Sequence, residues 1–469
     1  MKGMPVDRSV RIPRSSVLLL TMVAAYLLAF AIRFADERLY ADSGYYLIRT
    51  LNEGAFRIEH GRWVLALAEW LPWAGAQSGL PMAGIITLHS LGNVAFLLTG
   101  AAFALLVLRD GRAAMALAAL QLIGLAHGLF CPVFELYYGC GLIVLLLTTI
   151  GRNRSATALD KLGAALLLLL ALSSHPMAWL LAAGALLLEP RANLRCFRMA
   201  LLPAALAFAS IRAAGMSAYE AAQLSFIQRL AFPDLVLGLF APDELARQAA
   251  RFMRHYPDVL AIAAFTAVIL WREGQWRKGM AFVLGWAVLY VLTCLYLPSP
   301  DHDRYREQVD FGFAAWSVLA LLFHAWDHAD WRPAIVALLA TCMLFRAAEA
   351  ERVAPFYTAR TAWHASLIRA AHEQGMRKAV VDLDGIGFGA AGERVAPYWS
   401  TAIEGLLLSA REGPEAVVAL ATTDDLRGHA ALPNDRIILR RWDVMPVDYF
   451  NARWFRLPAD EPYRMLREP

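Results

Sequence analysis

The stretch "ADERLYADSGYYLIRT", residues 35 to 50, follows an apolar run directly and carries Asp36, Glu37 and Asp42, then Gly44, Tyr45 and Tyr46. A carboxylate placed there is suited to accept the proton of a reacting hydroxyl, which is general-base chemistry. Asp42 is the preferred base. Gly44 gives the backbone freedom to turn just after it, and the rings of Tyr45 and Tyr46 suit the wall of a binding pocket while their hydroxyls stay solvated. Asp36 and Glu37 compete for the role. The plainer alternative is that acids are tolerated at an external membrane boundary and the tyrosines belong to the interfacial aromatic belt.

A second constellation is "LPSPDHDRYREQVDFGF", Leu297 to Phe313, which packs His302, Arg304, Tyr305 and Arg306 among four acids between two apolar runs. A solvated loop has this composition. Arginine beside tyrosine at the mouth of a span is also what a lipid-linked phosphate would need, because guanidinium pairs with phosphate oxygens in a forked geometry. His60 and Arg62 in the first polar segment join these as binding candidates, as do Glu135 and His175, which lie with His127 at turns between apolar runs. Singly, such groups are more often caps or hydrogen-bonding residues than catalysts; ionisable groups gathered at one membrane face are more informative. His89 and Asn93, one helical turn apart, suit an interhelical hydrogen-bond pair.

The elements that must position these residues are membrane helices. The chain is 59% hydrophobic and 18% charged, against about 45–50% and 25% in soluble domains. Its net charge of +4 implies no nucleic-acid face, and its cysteines form no disulfide framework. Apolar runs begin at Ser16 to Phe34 and recur near 81–108, 113–130, 133–150, 162–175, 176–189, 199–212, 257–271, 280–297, 310–326 and 332–346. They predict an all-α polytopic membrane protein with about eleven crossings, several shorter than the usual ~20 residues. Arg8, Arg11 and Arg14 place the amino terminus in the cytoplasm, and the first run reads as an uncleaved anchor rather than a signal peptide. The basic connections "RDGR", "GRNRSATALDK", "EPRANLRCFR" and "WREGQWRKG" fall on the cytoplasmic side together if the chain turns at Ser174-His175-Pro176. Everything after about residue 347 is then outside.

Two external segments carry amphipathic surface helices: Trp63, Leu67, Trp70 and Leu71 share one helical face, and Leu245, Phe252, Met253 and Tyr256 share another. Residues 1–350 read as the transmembrane domain and 351–469 as a small extracytoplasmic α/β domain. In it "KAVVDL", "EAVVAL" and "RIILRRW" are strands and "STAIEGLLLSAREG" is a helix. Asp382 and Asp384 in "VVDLDGIGFG" imitate a phosphatase or metal motif, but no spaced acidic ligands follow, and a strand-to-turn role is the reading preferred.

This layout resembles the GT-C glycosyltransferases, membrane enzymes that take sugars from polyprenyl-phosphate or polyprenyl-diphosphate carriers and that include protein mannosyltransferases and aminoarabinose transferases. The resemblance rests on the cytoplasmic amino terminus, the acidic first external loop, the surface helices, the many spans and the external terminal domain. It implies a catalytic carboxylate at Asp42, Asp36 or Glu37 and a carrier-phosphate ligand at Arg304, with Arg306 or His302 beside it. In the family the acidic pair and the Tyr-Tyr adjoin. Here the pair is Asp36-Glu37 and the tyrosines follow Asp42. The implied partners are a polyprenyl-phosphate-linked sugar, the lipid bilayer and an envelope acceptor at the plasma membrane. No motif calls for a cofactor, and a divalent metal is the one candidate left open. A lipid or glycolipid flippase and a noncatalytic envelope assembly protein are the alternatives; the lack of a visible internal repeat argues mildly against a transporter.

Overall fold

The computed structural model describes residues 14–151, 157–188, 195–296, 303–382, 398–427, 429 and 432–467. Most of them are helical. Among the described residues, five helices are long and apolar enough to cross a membrane: Ser15–Arg33, Met82–Val107, Trp276–Tyr296, Asp303–Ala325 and Ala329–Glu373. The count is six if Pro242–His255 and Pro257–Arg272, bent by 109° at their junction, make one broken span.

The expectation of about eleven crossings is therefore not supported, and the reason is length. The apolar runs between 111 and 188 become helices of 9 (Gly111–Ala119), 16 (Glu135–Ile150), 15 (Ala158–Leu172) and 13 residues (Pro176–Leu188). At 1.5 Å per residue each falls short of a hydrocarbon core about 30 Å thick. Arg195–Ala214 is longer but holds Pro203 and basic residues.

Burial separates the helices by role. Leu159, Leu162, Leu166 and Leu169 form an exposed stripe along Ala158–Leu172, and Val17, Leu18, Met22 and Ile32 are exposed on the first helix. Met280, Val283 and Leu284 are exposed on Trp276–Tyr296. Apolar stripes this extensive need a nonaqueous cover, which a bilayer supplies. Asp303–Ala325 is the opposite case. Its apolar window is 94% buried, so it runs through the centre of the bundle and brings its amino-terminal charges with it.

The two surface helices differ. On Ala66–Gln77 and the turn before it, Trp63 and Trp70 are exposed with Leu67 and Leu71 half-buried, an outward apolar face. On Pro242–His255 the expected face divides, with Leu245 and Met253 exposed but Phe252 and Tyr256 buried. The inner face of Ala66–Gln77 carries Glu69, fully buried. Its Oε2 accepts from Thr50 Oγ1 at 3.2 Å and from the Arg57 amide at 2.5 Å, while Oε1 has no partner among the described residues. Burial pushes this carboxyl up to about 8. A folded-state value above the unfolded one means that Glu69 favours folding most below about pH 4.5 and that this contribution is lost as the pH rises through about 8. Glu69→Gln, which imitates the protonated acid, should match the parent in thermal stability at pH 5 and exceed it at pH 8.5. Equal melting temperatures at both values would contradict the assignment.

The helix Arg332–Glu373, 42 residues long, runs unbroken through the boundary expected at residue 350 and into the terminal region. There, strands β1 (Lys378–Val381), β2 (Ala419–Thr422) and β5 (Arg464–Met465) form a parallel sheet in the order β2-β1-β5. Strands β3 (Arg436–Arg440) and β4 (Asp443–Pro446) form an antiparallel pair. Asp382 stands at the end of β1, and Asp384 lies outside the described residues.

The terminal region is locked to the bundle by the helix Thr401–Ser409. Its Glu404 accepts from Arg360 Nε and Nη2, both at 2.8 Å. Both side chains are almost fully buried, and breaking such a pair commonly costs about 3–5 kcal/mol because it strands a charge. The same helix packs on Asp42–Glu53, and Gly44 makes that contact possible. A Cβ at Gly44 would stand 3.0 Å from Ile403 Cγ2 and closer still to the Leu39 carbonyl. Gly44 is thus a helical residue chosen for close approach, not for a turn. The turn is one residue before Asp42, at Ala41, whose φ of 56° is strained for a residue with a Cβ.

Candidate functional site

Local backbone sets the first wall. The strained turn at Ala41 starts the helix Asp42–Glu53 with the Asp42 carboxylate in its first turn. Tyr45 and Tyr46 follow three and four residues on, one helical turn along the same side. Farther on, His60 (φ 51°) and Gly61 (φ 64°) adopt successive left-handed conformations before Arg62. A side chain at Gly61 would run into the Arg212 guanidinium, so the loop passes close to that cation.

The second wall comes from Asp303–Ala325, whose first turn presents Arg304 and Tyr305. Arg304 Nη1 lies 3.0 Å from Asp42 Oδ2 and 3.4 Å from the buried Cys131 Sγ. Burial pushes the Cys131 thiol up to about 11, so it supports Arg304 as a neutral group. The Arg304 side chain is 5% exposed while that of Asp42 is 40% exposed. The cation is therefore anchored and the carboxylate is accessible. The Tyr40 ring lies between two guanidiniums, 5.8 Å from Arg304 and 5.2 Å from Arg360, which joins this wall to the Glu404 lock.

These walls enclose a cavity of 1080 Å³ lined by Asp42, Tyr45, Tyr46, His60, Arg62, Glu135, His175, Arg304 and Tyr305. Its lining includes apolar residues, among them Leu172, Met177, Leu180, Phe226, Ile227 and Leu292. It also includes charged ones. Arg62 Nη1 meets Glu135 Oε1 at 2.5 Å, Arg212 Nη2 meets Glu220 Oε1 at 2.5 Å, and His60 Nδ1 lies 3.2 Å from Ser217 Oγ. Burial, with the Arg62 guanidinium adding to it, pushes His175 down to about 3. The ring is neutral, and because Nδ1 accepts from the Met177 amide at 3.2 Å, its proton sits on Nε2. Tyr46, held well above the usual phenol range by burial, stays protonated.

Other candidates lie elsewhere. Asp36 pairs with Arg411 of the terminal region, and neither Asp36 nor Glu37 lines the cavity. Burial raises both carboxyls. Arg306 pairs with Asp303 at 3.1 Å and approaches His255 at 3.4 Å, away from the lining. His302 lies outside the described residues. His127 contacts the Tyr357 hydroxyl at 3.1 Å and does not line the cavity. His89 and Asn93 reach different partners, Ser43 and Arg38. Among the described residues no three His, Cys, Asp or Glu side chains gather as metal ligands.

The lining also includes residues that the sequence did not single out: Glu59, Arg212, Glu220, Trp399, Arg440 and Trp442. Some left a local signal. Ser217 and Glu220 have capping-box spacing, and Arg440 ends β3 with Trp442 in the turn just after it. Neither pattern points to a cavity by itself. No family model, curated protein or solved structure matches the chain.

Proposed function

We propose that the chain is a membrane glycosyltransferase that moves a sugar from a polyprenyl-phosphate carrier to an envelope acceptor at the external face of the plasma membrane. The observation that carries this reading is the meeting of Asp42 and Arg304, 3.0 Å apart, in one cavity whose lining holds both apolar and charged residues. A prenyl chain suits the apolar lining and a sugar phosphate suits the charged lining.

Donor phosphate bound at Arg304 takes the place of the Asp42 carboxylate on the guanidinium and frees that carboxylate. The acceptor hydroxyl oxygen then attacks the anomeric carbon of the sugar. The bond from that carbon to the phosphate oxygen breaks, its electron pair leaves with the carrier phosphate, and Arg304 stabilises the charge that develops. The hydroxyl proton passes to Asp42. His175, through Nε2–H, and Arg62 are further donors in the lining of the same cavity. In this reading the amino terminus is cytoplasmic and the terminal region extracytoplasmic.

Disruption of the coding sequence, followed by mass spectrometry of envelope glycans and lipids, tests the proposal. Loss of one sugar decoration, with the sugar-loaded carrier accumulating on the outer leaflet, is expected. Accumulation of a lipid precursor on the inner leaflet would overturn transfer in favour of flipping.

A further inference from the structure

The terminal region does more than cap the bundle: Trp399, Arg440 and Trp442 form part of the wall of the same cavity as Asp42. The two indoles are 6.4 Å apart between centroids, and Trp442 is 67% exposed. Arg440 stacks on the Tyr45 ring at 3.9 Å and lies 5.5 Å from the Trp442 ring. It is fixed by Asp443 at 3.0 Å, which also binds Arg49 of the Asp42–Glu53 helix at 2.8 Å. A buried Arg440 Nε has no partner among the described residues. The aromatic pair is thus held in register with the helix that carries Asp42, and Tyr45 connects the two across about one helical turn, or roughly 5 Å.

We infer that Trp399, Trp442 and Arg440 form the acceptor subsite, and that the acceptor is a carbohydrate whose pyranose ring stacks on the indoles. This rests on the transferase reading above. The axial C–H face of a pyranose is apolar and its rim is hydroxylated, which matches an indole face beside a guanidinium donor. The assignment to acceptor rather than donor follows from the lining: the lipid tail requires the apolar helices, whereas the aromatic pair lies on the terminal region, outside the apolar helices. A Trp442 ring resting on lipid is the competing explanation for its exposure.

Saturation-transfer NMR on the full-length protein in detergent tests this with methyl pyranosides of gluco, galacto and manno configuration as probes. At least one should receive saturation at its axial C–H protons. Trp442→Ala and Trp399→Ala should each weaken that transfer roughly fivefold, with Trp442→Phe recovering most of it. Arg304→Ala should leave it in place. Absence of transfer to all three sugars, or equal transfer in the parent and both alanine variants, overturns the subsite. Donor-lipid binding to the parent, measured on the same samples, reports separately on the transferase reading. Failure there with intact pyranoside contact would remove the donor chemistry, whereas intact donor binding without pyranoside contact would remove only the subsite.

Discussion

Asp42→Asn is expected to lower sugar transfer by about 10²–10⁴-fold, the usual contribution of a positioned general base, while leaving expression and membrane insertion intact. The amide keeps the shape of the side chain, and its carbonyl can still accept from Arg304, but it cannot take a proton. The geometry adds a second expectation. Because Asp42 occupies Arg304 at 3.0 Å in the resting site, removing its charge removes a competitor for the guanidinium. Donor lipid should bind the variant at least as tightly as the parent, so binding and turnover should move in opposite directions. Asp36→Asn and Glu37→Gln are matched controls at the same boundary. Neither side chain lines the cavity, so both should retain transfer within a few-fold. Full in vitro transfer by the Asp42 variant would move the base elsewhere. Loss of transfer only in the Asp36 or Glu37 variant would assign it to the acidic pair.

Arg304→Ala should weaken binding of a polyprenyl-phosphate sugar by roughly 10²-fold, since truncating a buried, hydrogen-bonded charge at an interface commonly costs about 2–5 kcal/mol. Arg304→Lys should recover part of this, because an ammonium keeps the charge but not the forked donor pair. The effect on folding should be smaller. The orphaned Asp42 side chain is 40% exposed and can be solvated. Arg306→Ala is the informative control, since Arg306 faces Asp303 and His255 outside the cavity lining. Titration of the purified variants with donor lipid in detergent, with thermal melts alongside, separates affinity from stability. Parent-like affinity in Arg304→Ala would overturn the phosphate assignment, and loss in Arg306→Ala alone would transfer it there.

These two residues also show what was legible beforehand. Asp42 and Arg304 are 262 positions apart, yet each is recognisable locally: a charge at the end of an apolar run is costly enough to be noticed. The chemistry of the individual groups survives into the fold. The break at residues 173–175 is equally local, because Pro176 cannot continue a helix, and Ala158–Leu172 and Pro176–Leu188 end and begin on either side of it. Of the terminal strands, β1 and β3 were readable from their β-branched runs, whereas β2 falls at Ala419–Thr422, just past the Val417-Val418 pair, and β4 and β5 left no such signal.

The number of crossings was not readable in this way. Composition detects an apolar run but does not distinguish a span from a short helix packed inside the bundle. Glu135–Ile150 is buried almost throughout yet only 16 residues long. Gly44 misled for a related reason: its sequence neighbours suggest a turn, but it is helical, and both the nearby Leu39 carbonyl and Ile403, far along the chain, leave no room for a side chain.

The sequence by itself determined the membrane character, the positions of the charged groups at the ends of apolar runs and strands β1 and β3 of the terminal region, since each depends on neighbours within a few residues. Only the tertiary structure decided which charges share a cavity. It set Asp42 against Arg304, removed Asp36 and Arg306 to other partners, and brought Trp399, Arg440 and Trp442 to the same wall. Pairing of that kind depends on how helices far apart in the chain pack, and the cost of burying a guanidinium without a partner is met by whichever carboxylate the packing delivers.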